Sequence, residues 1–146
     1  MRNKLITTFF TVTLLLLFCA TANASTYASP VFESCYVLLN SSLEAEVSAS
    51  LQLDCDTVYV KSAILQRVNK NGSTVYSSKA ILPTTKTSYN VSDYTDWMDF
   101  SKHAEHGNYY RVRITFYADG YTSTATSAVV YYCDTYIVGG INTNPE

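Results

Sequence analysis

At 146 residues, the chain is long enough for one domain with one modest core and too short for two. Its formal charge of −2 leaves no basic excess for nucleic-acid phosphates or an anionic membrane surface. Thirteen tyrosines against five glycines and three prolines suit a strand-rich protein whose aromatic side chains sit half-buried with their hydroxyls in water.

Arg2 and Lys4 open the chain with positive charge, and Leu5 to Phe18 is uncharged and mainly apolar. Ala22-Asn23-Ala24 then places small residues at the −3 and −1 positions read by signal peptidase. This order predicts a secretory signal over residues 1–24. The apolar run is shorter than the ~20 residues of a bilayer crossing and has no basic stop-transfer flank. A lipid-modified cysteine at Cys19 is the alternative, but it follows bulky Phe18, where such a cysteine normally follows Gly, Ala or Ser. Ile141 to Glu146 has no apolar tail for an anchor. A freely secreted, extracellular protein follows, starting near Ser25, with no membrane attachment after cleavage. It keeps eight basic and twelve acidic residues, a net charge of −4.

Residues 25–34 read as a leader, with Pro30 opposing regular structure. Cys35 to Leu39 is a short apolar run ending in the polar turn Asn40-Ser41-Ser42. From Leu43 to Asp54 the alternation is strict: Leu43, Ala45, Val47, Ala49, Leu51 and Leu53 against Glu44, Glu46, Ser48, Ser50, Gln52 and Asp54. Period two predicts a strand with one buried and one wet face. Val58 to Val68 is the next strand. Asn71-Gly72 supplies the positive φ of a tight hairpin, so Thr74 to Leu82 returns antiparallel. Ser88 to Val91 reads as a short strand, and Ser92 to His106, with Trp97, as a connection with one helical turn. In Tyr109 to Tyr117, Tyr110, Val112, Ile114 and Phe116 face the core, while Tyr109, Arg111, Arg113, Thr115 and Tyr117 face out. Asp119-Gly120 forms a turn, Ser123 to Tyr132 is the last strand, and 134–146 is a tail.

About seven short strands without a strong helix predict an all-β, two-sheet sandwich over residues 35–133, of immunoglobulin-like or fibronectin-III-like architecture. Gly107-Asn108-Tyr109-Tyr110-Arg111-Val112-Arg113-Ile114 resembles the penultimate strand of fibronectin-III-like domains, which implies Tyr110 as the corner tyrosine, its hydroxyl returning to upstream backbone. Ala63-Ile64-Leu65-Gln66-Arg67, the Gly-Ser hairpin and the Tyr109-Tyr110-Arg111-Val112 strand over roughly residues 45–132 are also similar to small secreted proteins of Gram-positive bacteria with no assigned function. The chain departs from the immunoglobulin pattern in lacking its Cys…Trp…Cys core, since Val112 stands two residues after Tyr110. The segment from Cys133 onward lies outside the resemblance, which implies a fold and a compartment but no activity.

Removing Cys19 leaves Cys35, Cys55 and Cys133, an odd number for an oxidising compartment. Cys35 opens the first strand and Cys55 closes the second, at one end of the sandwich, so a Cys35–Cys55 disulfide is plausible. The turn at Asn40–Ser42, however, puts Cys35 opposite roughly Val47. Cys55–Cys133 pairing and no internal bridge stay open. Cys133 as the free thiol offers a homodimer link and hence a structural or assembly subunit.

Asp93, Asp96, Asp99, His103, Glu105 and His106 are the cluster of potential metal ligands, at spacings that match neither an EF-hand loop nor an HExxH helix. They read as a solvated connection, with a small metal-dependent hydrolase as the alternative. No Ser or Cys motif supplies a nucleophile with an orienting acid, so the chain reads as non-catalytic and without cofactor. Outward Tyr109, Arg111, Arg113 and Tyr117 form an aromatic and guanidinium stripe, either an ordinary solvated face or a surface for a protein or glycan partner. Asn40, Asn71 and Asn90 each begin an N-x-Ser sequon.

Overall fold

The computed structural model describes residues 30–133, so the expected signal over 1–24 and the expected tail over 134–146 lie outside the described residues. The chain runs through β1 (Phe32–Leu39), β2 (Glu44–Cys55), β3 (Val58–Val68), β4 (Val75–Ile81), β5 (Val91–Asp99), a 3₁₀ turn at Ser101–His103, β6 (Asn108–Ala118), β7 (Tyr121–Thr126) and β8 (Val130–Tyr132). Two antiparallel sheets form the all-β sandwich. One has three strands in the order β1-β2-β5; the other has five in the order β4-β3-β6-β7, with β8 also on β6. Among the described residues no helix is long and apolar enough to cross a membrane.

The core is made by the alternating faces. Ala45, Val47, Ala49 and Leu51 of β2 and Tyr110, Val112, Ile114 and Phe116 of β6 are all buried. Across the gap Tyr94 meets Phe116 edge-to-face, with ring centroids 6.3 Å apart. That arrangement suits the opposed edge and face charges of the rings. The Tyr94 hydroxyl leaves the core to donate to the Lys86 carbonyl at 2.9 Å. Only its apolar body is therefore desolvated without compensation.

Several elements depart from the sequence reading. The sandwich begins three residues before Cys35, because Phe32 is buried and β1 includes it. Ser92 to His106 is not a connection: β5 occupies most of it, pairing along β2 from Glu44↔Asp99 to Ser50↔Asp93. Three aspartates hid that strand. Asp93 and Asp99 face solvent. Asp96 points towards the core side at the sheet edge, where it accepts the Lys86 N–H at 2.8 Å. Ser88 makes only an isolated bridge to Val58. Leu53 is exposed, not buried, because the β2–β5 register shifts between Ser50 and Cys55.

The last strand is split in two. Ser127 lies between β7 and β8, its N–H donating to the Val112 carbonyl and its Oγ accepting the Val112 N–H at 3.0 Å. One buried serine thus satisfies the Val112 backbone groups where the ladder breaks, a need that follows from the cost of orphaned buried amides.

The β3–β4 turn is closed by Asn69 N–H to the Thr74 carbonyl and Gly72 N–H to the Asn69 carbonyl. Gly72 has φ +74°, and a Cβ there would lie 2.9 Å from Val129 Cγ2. Both conformation and space require glycine. We expect Gly72→Ala to lower stability by about 1–3 kcal/mol. A urea unfolding midpoint equal to that of the parent would contradict this.

Candidate functional site

Strand alternation and register divide the surface by charge. β1, β2 and β5 carry Glu33, Glu44, Glu46, Asp54, Asp93, Asp96 and Asp99, and no Lys, Arg or His. The strands of the five-stranded sheet carry Lys61, Arg67, Lys79, Arg111 and Arg113, and no Asp or Glu. Asp96, Arg67 and Lys79 lie on the core side near the sheet edges, and the remaining strand charges give each outer face a single sign.

On the five-stranded face, Tyr59 lies opposite Tyr117 and the rings stack with centroids 4.8 Å apart. At the other end of β6, Tyr109 lies opposite Tyr131 with centroids 4.9 Å apart. At ~3.3 Å per residue the two tyrosine pairs stand about 26 Å apart along the strand. Exposed Arg113 sits midway, between Ile64 on β3 and Thr126 on β7. Thr115 and Thr124 share a hydroxyl hydrogen bond of 3.1 Å in the next row.

Arg111 is different. Its Nε donates to Gln66 Oε1 at 2.8 Å and its Nη1 to the Gly72 carbonyl at 3.2 Å, which secures the β3–β4 turn to the sheet. Half of the guanidinium stripe is thereby taken by the fold, leaving Tyr109, Arg113 and Tyr117 as its accessible part. Tyr110 lies on the opposite, core side. Its hydroxyl accepts the Glu105 N–H at 2.9 Å and donates to the Glu105 carbonyl at 3.2 Å.

The Asp/His cluster is dispersed. Asp96 is engaged with the Lys86 and Trp97 amides. Asp99 accepts the Ser101 N–H at 2.8 Å, and the Ser101 hydroxyl and amide hold its carboxyl below the usual carboxylate range. The stability that Asp99 contributes is accordingly present above about pH 4 and lost on acidification. His106 stacks on Tyr132, with centroids 4.2 Å apart. His103 and Glu105 line a cleft of about 160 Å³ with Arg67, Ser77, Lys79 and Tyr110. Among the described residues no three His, Cys, Asp or Glu side chains converge as a metal site.

The sequons fall in turns. Asn40 Oδ1 accepts the Ser42 and Glu44 amides, Asn71 Oδ1 accepts from Ser73, and Asn90 has φ +53°.

The Cys35–Cys55 bridge is not formed. Cys35 lies opposite Ala49, so Cys55 is six residues further along β2. That is about 20 Å at the rise of a strand, beyond the reach of a disulfide. Among the described residues Cys35, Cys55 and Cys133 are free thiols; Cys133 is partly exposed directly after β8.

Burial pushes the Cys55 thiol up, and the nearby Asp119, Asp56 and Asp54 carboxylates push it further. Asp119 is held there because it accepts the Asp56 and Thr57 amides at 2.8 and 2.9 Å. Burial also raises Cys35, against an opposing hydrogen bond with Ser123.

The exposed row Leu38–Glu46–Trp97 on the three-stranded sheet escaped the sequence reading. Its signal was present in Tyr94, Met98 and Phe100, which alternate with Asp93, Thr95, Trp97 and Asp99. Comparison with protein-family models, with curated proteins and with solved structures returns no match.

Because folded Cys35 and Cys55 hold their protons longer than in the unfolded chain, their stabilisation is complete below about pH 8.5 and is lost as pH rises. The urea midpoint should fall above that pH, and less steeply in Cys55→Ala. Parallel pH profiles for parent and variant would contradict this.

Proposed function

We propose that this protein is an exported, non-catalytic binding module that engages an extended partner, protein or glycan, along the outer face of the five-stranded sheet. One observation carries the reading: two tyrosine pairs and an exposed arginine stand in line along β6, on the face turned away from the core. Tyrosine offers a rigid apolar ring with a polar tip, and a guanidinium stacks or donates hydrogen bonds, so such a row can grip a chain running along the strand. The signal-like order of residues 1–24 supports export, and the strand order β1-β2-β5 against β4-β3-β6-β7 supports an immunoglobulin-like or fibronectin-III-like type.

The role of Arg111 in securing the turn makes Arg113 and Tyr117 the informative substitutions. Glycan-array and extracellular pull-down signals should drop at least about tenfold in Tyr117→Ala/Arg113→Ala, consistent with loss of two interface anchors of ~1 kcal/mol or more each. The urea midpoint serves as the folding control. Unchanged capture by the folded variant would remove the face from consideration.

A further inference from the structure

The opposite side of the sandwich has its own chemistry, independent of the face just described. Register places Leu38, Glu46 and Trp97 directly across β1, β2 and β5, with Tyr36, Ser48 and Thr95 as the adjoining row. Trp97 is 59% exposed and Leu38 60%, two large apolar side chains in one row across the three strands. Glu46 stands between them, accepting the Tyr36 hydroxyl at 3.3 Å. Asp93 lies beyond on the same face, accepting the Ser50 hydroxyl at 3.0 Å, and Glu44 and Asp99 pair at the end of the sheet.

We propose that this face is a second binding surface, and that its occupant is an extended basic peptide segment containing arginine. Two observations meet here. An exposed indole flanked by carboxylates is suited to a guanidinium, which stacks on the ring while donating to the acid. The absence of any basic residue from β1, β2 and β5 leaves those carboxylates without counter-charges on their own strands. A neutral glycan would use the indole but not the charge.

A second copy fits less well. Three strands over about eight residues offer roughly 400 Å², half of the ~800 Å² per partner of a standard stable interface. The five-stranded face would also meet four outward carboxylates with Arg113 and Lys61, its Arg111 being committed to Gln66 and Gly72.

Trp97 is the only tryptophan in the chain, so its fluorescence reports the site directly. The full-length protein is titrated with hexa-arginine, hexa-lysine and cellohexaose at low and moderate salt. Hexa-arginine should alter the emission saturably, bind about two- to fivefold more tightly than hexa-lysine, and weaken with salt. Glu46→Gln should weaken it several-fold, whereas Glu105→Gln, whose carboxylate lies beside Arg67 of the other sheet, should not. Equal affinity for the two peptides, or equal effects of the two substitutions, would reduce the attraction to net charge and overturn the proposal. So would a response to cellohexaose alone, or a concentration-dependent emission change without peptide, which would identify a glycan or a second copy as the occupant.

Discussion

The pairing of β6 with β3 is the constraint from which the rest of the structure follows. Val58↔Ala118 to Val68↔Tyr109 is the longest ladder in the molecule, interrupted by one shift between Val60 and Ser62. Tyr110, Val112, Ile114, Phe116 and Ala118 are buried, so their neighbours on β6 have no choice but the other face. A slip of one residue would bury Arg111 and Arg113 and expose the core set, at a cost far above the stability of a small domain. The accessible row of Tyr109, Arg113 and Tyr117 is thus a by-product of core packing.

Charge segregation adds a second consequence. The acidic strands all lie in one sheet and the basic ones in the other, separated by an apolar core. Salt bridging between strands is correspondingly sparse: among the described residues the ion pair is Arg67–Glu105 at 4.0 Å, between β3 and the segment before β6. Exposed pairs of that kind contribute little to stability. Stability rests instead on apolar packing and on local polar ties such as Asp119 to the Asp56 and Thr57 amides and Ser127 to Val112. Arg113 and the outward carboxylates of β2 and β5 are thus not spent on ion pairs with one another.

Much of this was legible in the sequence where alternation is clean or a turn demands glycine. Sequence alone bounds β3 at Val58–Val68 and separates the inward from the outward side of β6, and Asn71-Gly72 marks the β3–β4 turn. β5 is hidden because Asp96 interrupts its apolar face. Its partner, the Lys86 amide, comes from a loop that periodicity does not place. The exposure of Leu53, the break at Ser127 and the capture of Arg111 by the Gly72 carbonyl depend likewise on register shifts and tertiary contacts. With β5 went the Trp97 row, whose composition depends on three strands aligning. Cys35 and Cys55 share an end of the sandwich only if β1 and β2 are taken as equal in length; β2 runs six residues past Ala49, the partner of Cys35, which carries Cys55 out of reach.

The most direct test of this account is the cross-strand NOE pattern between β3 and β6. The register predicts proximities that place Ala63 opposite Ile114, Leu65 opposite Val112 and Gln66 opposite Arg111. A pattern displaced by one residue would turn Tyr109, Arg113 and Tyr117 inward and contradict the assignment of the outer face.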